Sequence, residues 1–196
     1  IMPDEEVSLA FETSGKVTEI LFQEGAYVHK GDLLAKINDE PQQAELRKQE
    51  AQLKLFQDRM YRQNALLEKE AVSEEAFQEA QANLAALHAE IDRVKANIAQ
   101  RELRAPFDGV LGLREVSLGA YVSSTTPIVK LTKMNPLKIE FSVPERYSGV
   151  LKAGSRLNFT VEGDLEERSA KVYATDSRVD MDTRTFTVRA LYDNSD

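Results

Sequence analysis

Hydrophobic residues between Pro41 and Arg101 recur with the period of packed α-helices. This stretch contains no glycine and no second proline, and strong helix formers dominate it. Two sets of positions advance in alternating steps of three and four, which is the spacing of a coiled-coil seam. The first set is Leu46, Gln49, Leu53, Phe56, Met60, Gln63 and Leu67, and the second is Phe77, Ala80, Leu84, Leu87, Ile91, Val94 and Ile98.

These two seams predict one antiparallel pair of helices. Taken in opposite directions, paired positions have numbers that add to 143 or 144, as a chain folded back about one turn requires. We therefore expect Leu53 to pack against Ile91, and Met60 against Leu84. The two polar seam positions, Gln49 and Gln63, are expected to form looser and wetter layers.

The ends of both helices are marked by residues that start or stop helices. The turn is predicted at Ala71–Val72–Ser73, with Ser73 as N-cap of the second helix and Val72 packing on Phe77 as a hydrophobic staple. The first helix is predicted to begin at Asp39 or Glu40, and Pro106 is expected to stop the second.

Short β-type runs flank the helical region, and they repeat. Residues 15–37, GKVTEILFQEGAYVHKGDLLAKI, align without a gap over residues 109–131, GVLGLREVSLGAYVSSTTPIVKL, at a constant offset of 94. One such copy cannot bury both of its faces, whereas two copies facing each other can. The repeat therefore predicts two halves of one small β-sandwich, related by a pseudo-two-fold axis and separated by the inserted helices.

Alternating apolar and polar residues reappear after residue 132. They predict half-buried strands at 137–143, 157–161 and 186–190. Pro144 and Gly154 bracket a predicted short helix. Together these elements predict a small β-barrel with one helix, which needs residues beyond Asp196 for its completion.

The split repeat with inserted helices resembles the periplasmic adaptor proteins, also called membrane fusion proteins or HlyD-like secretion proteins. SGKVTEILFQEGAYVHKGDLLAKI and LRAPFDGVLGLREVSLGAYV are similar to the two halves of the family's lipoyl-like domain. NPLKIEFSVPE, at 135–145, and DMDTRTFTVRALYDN, at 180–194, are similar to the first and last parts of its β-barrel domain. These two favour the branch that serves resistance-nodulation-division (RND) efflux pumps.

The resemblance implies a mixed, multidomain fold. A split lipoyl/biotinyl-like β-sandwich is expected at 10–37 and 105–131, and a long antiparallel α-helical hairpin at 38–104. A small β-barrel domain with its linker is expected at 1–9 and 132–196. The family's membrane-proximal domain and its membrane attachment are expected to lie outside this chain.

The function implied is that of an adaptor in a tripartite efflux pump of the Gram-negative periplasm, anchored to the inner membrane. Such an adaptor joins an inner-membrane RND transporter to a TolC-like outer-membrane channel, and six copies form a ring around the conduit. An adaptor for an ABC-type or type I export system and a non-transport coiled-coil scaffold stay open as alternatives. A lipoyl or biotinyl carrier is disfavoured because residues 38–104 replace the turn that would bear the modified lysine.

Three residues match the Arg-Leu-Ser motif with which the family's hairpin tip contacts the channel. Arg62, Leu66 and Ser73 stand four and then seven residues apart, as in that motif. Arg62 and Leu66 adjoin the seam residues Gln63 and Leu67, which leaves both outside the seam. Helix capping alone is an alternative explanation for Ser73.

Composition and motifs argue against other classes of function. The 33 acidic and 25 basic residues give a net charge of -8 without a basic stripe, so nucleic acid is not an expected partner. The chain has no cysteine. His29 and His88 lack a second ligand at metal spacing, and the acidic group Asp176, Asp180 and Asp182 lacks the pattern of a calcium loop. No catalytic motif occurs, so we expect neither an enzyme nor a bound metal or cofactor.

Overall fold

The computed structural model of the chain describes residues 1–67, 69, 71–161 and 166–194. In this part, two α-helices and eleven β-strands follow one another, with one short 3-10 helix at Glu145–Tyr147. The helices are α1 (Glu40–Leu67) and α2 (Glu74–Ala99). The strands are β1 (Met2–Leu9), β2 (Gly15–Ile20), β3 (Tyr27–Val28), β4 (Leu33–Ile37), β5 (Glu102–Arg104), β6 (Gly109–Arg114), β7 (Tyr121–Val122), β8 (Val129–Pro144), β9 (Arg156–Phe159), β10 (Arg168–Asp180) and β11 (Thr185–Tyr192).

The predicted repeat is confirmed in the strands. β2 and β6 begin and end at positions 94 residues apart, and so do β3 and β7. The halves exchange strands reciprocally, because β2 pairs with β7 and β6 pairs with β3. The equivalent pairs, each of which joins the two halves, are Lys16 with Tyr121 and Val110 with Tyr27.

One apolar core holds the two halves together. Its side chains come from both copies of the repeat, because period-2 alternation turns one face of each strand inward. Tight packing leaves no room for a side chain at Gly109, where a Cβ atom would lie 2.6 Å from the carbonyl oxygen of Thr132. The buried residues of this core are Leu9, Phe11, Val17, Val28, Leu34, Ala35, Ile37, Leu103, Ala105, Leu111, Val122, Ile128, Val129 and Leu131.

The seams predicted for the two helices are confirmed by burial. Every predicted seam position of α1 and α2 is buried or half-buried, whereas most positions between them are exposed. The helices pack against each other. Electrostatic contacts link Glu45, near the start of α1, to Glu90 and Arg93, in the second half of α2, so the helices run antiparallel. The individual pairs Leu53 with Ile91 and Met60 with Leu84 stay predictions.

The starts of both helices agree with the sequence prediction. α1 begins at Glu40, and Ser73 caps α2. Of the residues between α1 and α2, Glu68 and Glu70 lie outside the described residues. The expectation that α2 continues toward Pro106 is wrong, since α2 ends at Ala99 and β5 follows. In β5 the peptide N–H and C=O groups bond to β4, whereas in a longer α2 they would have bonded within the helix.

The two polar seam positions differ from each other. Gln49 is only 8% exposed, and its amide Nε2 donates to Glu45 Oε1 at 2.7 Å, so the expectation of a wet layer is wrong there. Gln63 is half-buried, and its Oε1 is buried without a hydrogen-bond partner in the described part of the chain. A local partner one turn away explains why Gln49 tolerates burial, whereas the Gln63 acceptor stays unsatisfied.

The long strand β8 contributes to both cores, because it lies in one seven-stranded sheet that continues from the first core to a second. β1 and β6 pair with its first half, and β11, β10 and β9 extend the sheet from its second half in that order. These last strands form a half-barrel around a second apolar core. The strands expected at 137–143 and 186–190 are present as parts of β8 and β11, whereas the strand expected at 157–161 ends at Phe159 as β9.

The helix predicted between Pro144 and Gly154 is shorter than expected. The 3-10 helix covers only Glu145–Tyr147. Gly154, at φ 96°, instead turns the chain into β9 and donates its N–H to the carbonyl of Val172. Leu9 lies in the first core although residues 1–9 were predicted with the β-barrel. The predicted domain limits themselves stay predictions.

Candidate functional site

The last turns of α1 expose two of the three residues that match the tip motif. Leu66 is 41% exposed, whereas its neighbour Leu67 is half-buried in the seam. Arg62 is exposed, and its Nε donates to the carbonyl oxygen of Asp58 at 3.2 Å. The carbonyl of Leu66 accepts the N–H groups of Lys69 and Ala71, which closes the helix end. The backbone is therefore fixed here while both side chains face solvent.

Ser73 is placed differently from Arg62 and Leu66. Its backbone is extended, at φ −73° and ψ 151°, and its Oγ accepts the N–H of Ala76 at 3.2 Å. Glu74 and Glu75 follow in the first turn, where a negative charge stabilises the helix dipole. The local geometry of Ser73 is that of an N-cap, as its alternative interpretation predicts.

Arg62 and Leu66 line one open groove of about 530 Å³ on the flank of α1. We call it the α1 groove. Its exposed residues are spaced four, three and four apart, so they follow a stripe parallel to the seam. Leu55 is 61% exposed and forms its far end. The lining residues are Leu55, Phe56, Arg59, Arg62, Gln63 and Leu66.

Sequence reasoning missed Leu55 and Arg59. The spacing that marks them was present in the sequence, because 55, 59, 62 and 66 repeat the steps of a coiled-coil seam. In the sequence this flank looks like an ordinary solvated helix face. The structure distinguishes it, because the buried seam beside it makes the flank one wall of a groove. Ser73 does not line the groove.

The α1 groove carries positive charge without compensation. Within the described residues, Arg59 makes no hydrogen bond or ion pair, and the only bond of Arg62 goes to a backbone carbonyl of its own helix. No carboxylate lines the groove. Two guanidinium groups between exposed leucines can bind an acidic and partly apolar partner.

The other candidate residues lie elsewhere and do not converge. His29 is exposed, with its Nδ1 3.8 Å from Asp108 Oδ1, and His88 is exposed on α2. Asp180 accepts the N–H groups of Thr183 and Asp182, and these bonds lower the pKa of its carboxyl below the ordinary value. Over the described ranges, no three His, Cys, Asp or Glu residues are grouped closely enough to hold a metal ion.

Within the described residues, the chain has no helix that is long and apolar enough to cross a membrane. Neither α1 nor α2 has a window that is apolar enough to span a bilayer.

Comparison with known families decides where this chain belongs. Residues 5–133 match the barrel-sandwich hybrid domain of RND membrane fusion proteins. The chain belongs to the membrane fusion proteins of RND-type efflux. The match covers both halves of the repeat and the helices between them, so the resemblance inferred from the sequence is confirmed. Membrane fusion proteins are transport components rather than enzymes.

Curated relatives extend over the whole chain. An uncharacterised protein of Haemophilus influenzae is 30% identical over 197 residues, which cover 100% of this chain and 52% of that protein. The multidrug resistance protein MdtA of Yersinia enterocolitica is 28% identical over 217 residues, which cover 97% of this chain and 49% of that protein. This membrane fusion protein chain therefore spans about half the length of the curated relatives it matches.

Among solved structures, a MacA–MexA chimera that contains the α-hairpin domain of Pseudomonas aeruginosa MexA is similar throughout. Its TM-score is 0.82 at 25% identity, and the alignment covers 100% of this chain and 73% of the chimera. The similarity includes the β-rich parts together with the two helices.

Proposed function

We propose that this membrane fusion protein acts as the periplasmic adaptor of a tripartite pump. It bridges an inner-membrane RND transporter to a TolC-like outer-membrane channel, and the tip of a long helical hairpin, formed by α1 and α2, makes the contact with the channel. Arg62, Leu66 and Ser73 lie in that contact. The adaptor is anchored to the inner membrane by a segment outside this chain and works as a ring of six copies.

The exposure of Leu66 is the observation that carries this proposal. An apolar side chain that is 41% exposed contributes little to the seam, which Leu67 already occupies. Arg62, one turn earlier, presents guanidinium donors that no carboxylate of the described residues occupies. An apolar knob beside a free cation at a helix end suits a protein contact better than it suits solvent.

Substitution at these two positions tests the proposal. We expect Leu66→Asp and Arg62→Asp, introduced into the full-length protein, to abolish its support of drug resistance and its cross-linking to the outer-membrane channel. Helicity and melting temperature should stay near those of the wild type because neither side chain packs in the seam. Gln57→Asp and Lys54→Asp are matched controls, since both residues are exposed on α1 outside the groove.

Full resistance and full cross-linking in both groove variants would show that the tip of the helices is not the docking surface. Loss of resistance in the two control variants as well would indicate a general effect of added negative charge on α1.

A further inference from the structure

Two cations on the sheet of the half-barrel are paired with carboxylates of neighbouring strands. Lys138 Nζ of β8 lies 2.9 Å from Asp4 Oδ1 of β1, and Arg189 Nε of β11 donates to Glu140 Oε2 of β8 at 2.7 Å. Opposite charges on neighbouring strands stabilise a sheet, whereas like charges directly opposite each other destabilise it. Both pairs follow this rule.

The edge of the same sheet has the contrary arrangement. In the pairing of β9 with β10, Arg156 stands directly opposite Lys171, and both residues are exposed. Directly opposed residues point to the same side of a sheet, with Cβ atoms about 5 Å apart. Two positive side chains therefore leave the sheet at one place.

Neither cation has a counter-ion among the described residues. The side chains of Arg156 and Lys171 make no hydrogen bond or ion pair there. On the neighbouring strand, Glu140 is already bonded to Arg189, and Asp193, which follows β11, makes no ion pair with Lys171. The repulsion between the two cations is thus uncompensated in the part of the chain that the structure describes.

Uncharged donors lie beside the two cations. The opposed pair two residues along the strands is Asn158 with Ser169, and alternation places it on the same face. An amide and a hydroxyl both donate hydrogen bonds. Because β9 is the last strand of its sheet, a ligand can approach this face from the open edge as well as from above.

Charge and hydrogen bonding define the ligand. A phosphate monoester carries a charge of about −1.5 to −2 at pH 7 and has three acceptor oxygens, so it balances both cations. A single carboxylate would balance only one of them. A guanidinium group binds phosphate through two parallel N–H donors, and an ammonium group adds a point charge.

We propose that Arg156 and Lys171 form a binding site for a phosphate monoester at the β9–β10 edge of the half-barrel. The two side chains supply the positive charge, and Asn158 and Ser169 supply further donors. The site does not depend on docking at the tip of the helices, so the failure of either proposal leaves the other standing.

Binding of glycerol 3-phosphate to the full-length protein tests the site. Isothermal titration calorimetry should detect binding that weakens as the salt concentration rises, because salt screens exposed charges. Dihexanoyl phosphatidic acid, kept below its micelle concentration, presents the same monoester on a lipid. Tighter binding of this lipid identifies a lipid head group as the source of the phosphate, and equal or weaker binding identifies a soluble phosphate compound. Dihexanoyl phosphatidylcholine, a zwitterionic diester, should not bind.

Substitutions assign the binding to the two cations. Arg156→Gln and Lys171→Gln should each weaken the binding of glycerol 3-phosphate about tenfold, and the double variant should abolish it. Arg178→Gln removes an exposed cation elsewhere on β10 and should leave the affinity unchanged.

A charge reversal separates ligand binding from folding. Lys171→Glu places a carboxylate opposite Arg156, so it should raise the melting temperature of the ligand-free protein while it abolishes phosphate binding. Glycerol 3-phosphate should raise the melting temperature of the wild type but not that of this variant.

Three results would overturn the inference. One is the absence of binding with both phosphate monoesters, and another is an unchanged affinity in the double glutamine variant or an equal loss in Arg178→Gln. The third is a lower melting temperature in ligand-free Lys171→Glu, which would show that the opposed cations do not repel each other and would remove the reason for the site.

Discussion

Gly25 and Gly119 make the same backbone hydrogen bond, each to the opposite half of the β-sandwich. Gly25 donates its N–H to the carbonyl of Leu111 at 3.0 Å, and Gly119 donates to Val17 at 2.9 Å. Both have positive φ, 77° and 85°, where an L-side chain is strained. The repeated GAYV sequence is therefore a repeated turn that joins the halves across a pseudo-two-fold axis.

Alanine at these two glycines should reveal this symmetry. We expect Gly25→Ala and Gly119→Ala each to lower the free energy of unfolding by about 1–2 kcal/mol, measured by urea denaturation, because each forces alanine into the left-handed region. Gly109→Ala should cost more, since its Cβ would meet the Thr132 carbonyl oxygen. Gly149→Ala, where a Cβ meets nothing within 4 Å, is the control. Markedly unequal losses at Gly25 and Gly119 would contradict equivalent roles.

The cap at Ser73 should contribute to stability independently of any partner. Ser73→Ala removes the acceptor for the Ala76 N–H and should lower the free energy of unfolding by about 1 kcal/mol. Ser73→Asp keeps an acceptor at the same place and should retain most of the stability. If thermal melts show both variants equal to the wild type, the serine oxygen does not cap α2 in solution.

The two polar seam residues should respond differently to substitution by leucine. Gln63→Leu removes an unsatisfied buried acceptor and should raise the free energy of unfolding by about 1 kcal/mol. Gln49→Leu breaks the bond to Glu45 and should give no comparable gain. Parallel urea denaturation of both variants measures this difference, and equal gains would show that the Gln49–Glu45 bond contributes nothing.

Asp4 should make the stability of the protein depend on pH. Its carboxylate lies 2.8 Å from Lys133 Nζ and 2.9 Å from Lys138 Nζ. Hydrogen bonds from Lys133, and then from Lys138, lower the pKa of Asp4 in the folded chain below its ordinary value of 3.8. A lowered folded-state pKa stabilises fully above the unfolded-state pKa, and this stabilisation is lost as the pH falls through the folded value.

Asp4→Asn should therefore reduce the free energy of unfolding at pH 6 and have progressively less effect below about pH 4. Urea titrations of variant and wild type across this range measure the difference. Asp92→Asn is the control, because Asp92 makes no ion pair or hydrogen bond with the described residues. A difference that stays constant from pH 6 to pH 3 would exclude the carboxylate charge as its cause.

We expect no lipoyl or biotinyl group on this chain. Residues 38–104, which include α1 and α2, stand where a carrier domain has its lysine-bearing turn. Intact mass after co-expression with a lipoate or biotin ligase tests this expectation, with an authentic carrier domain as positive control. Added cofactor mass on any lysine would refute it.

Local pattern was sufficient to predict the helices and the repeat. The seam positions of α1 and α2 follow from the 3.6-residue period, which fixes the side chains that share a face before any partner is known. The constant offset of 94 likewise located β2 with β6 and β3 with β7. Arg62 and Leu66 were identified as exposed because each adjoins a seam residue.

The sequence by itself determined the helix period and the cap at Ser73, because each depends on residues close together in the chain. It also determined the duplication of the β-halves, because a constant offset of 94 can be read without knowing any contact. Tertiary structure decided the exchange of β3 and β7 between the halves, the early end of α2 and the extent of the α1 groove. Whether Leu55 and Arg59 are covered depends on which distant element packs over them, and β5 exists because β4 offers it a backbone ladder. Such long-range pairing is selected by total burial and hydrogen bonding rather than by local preference.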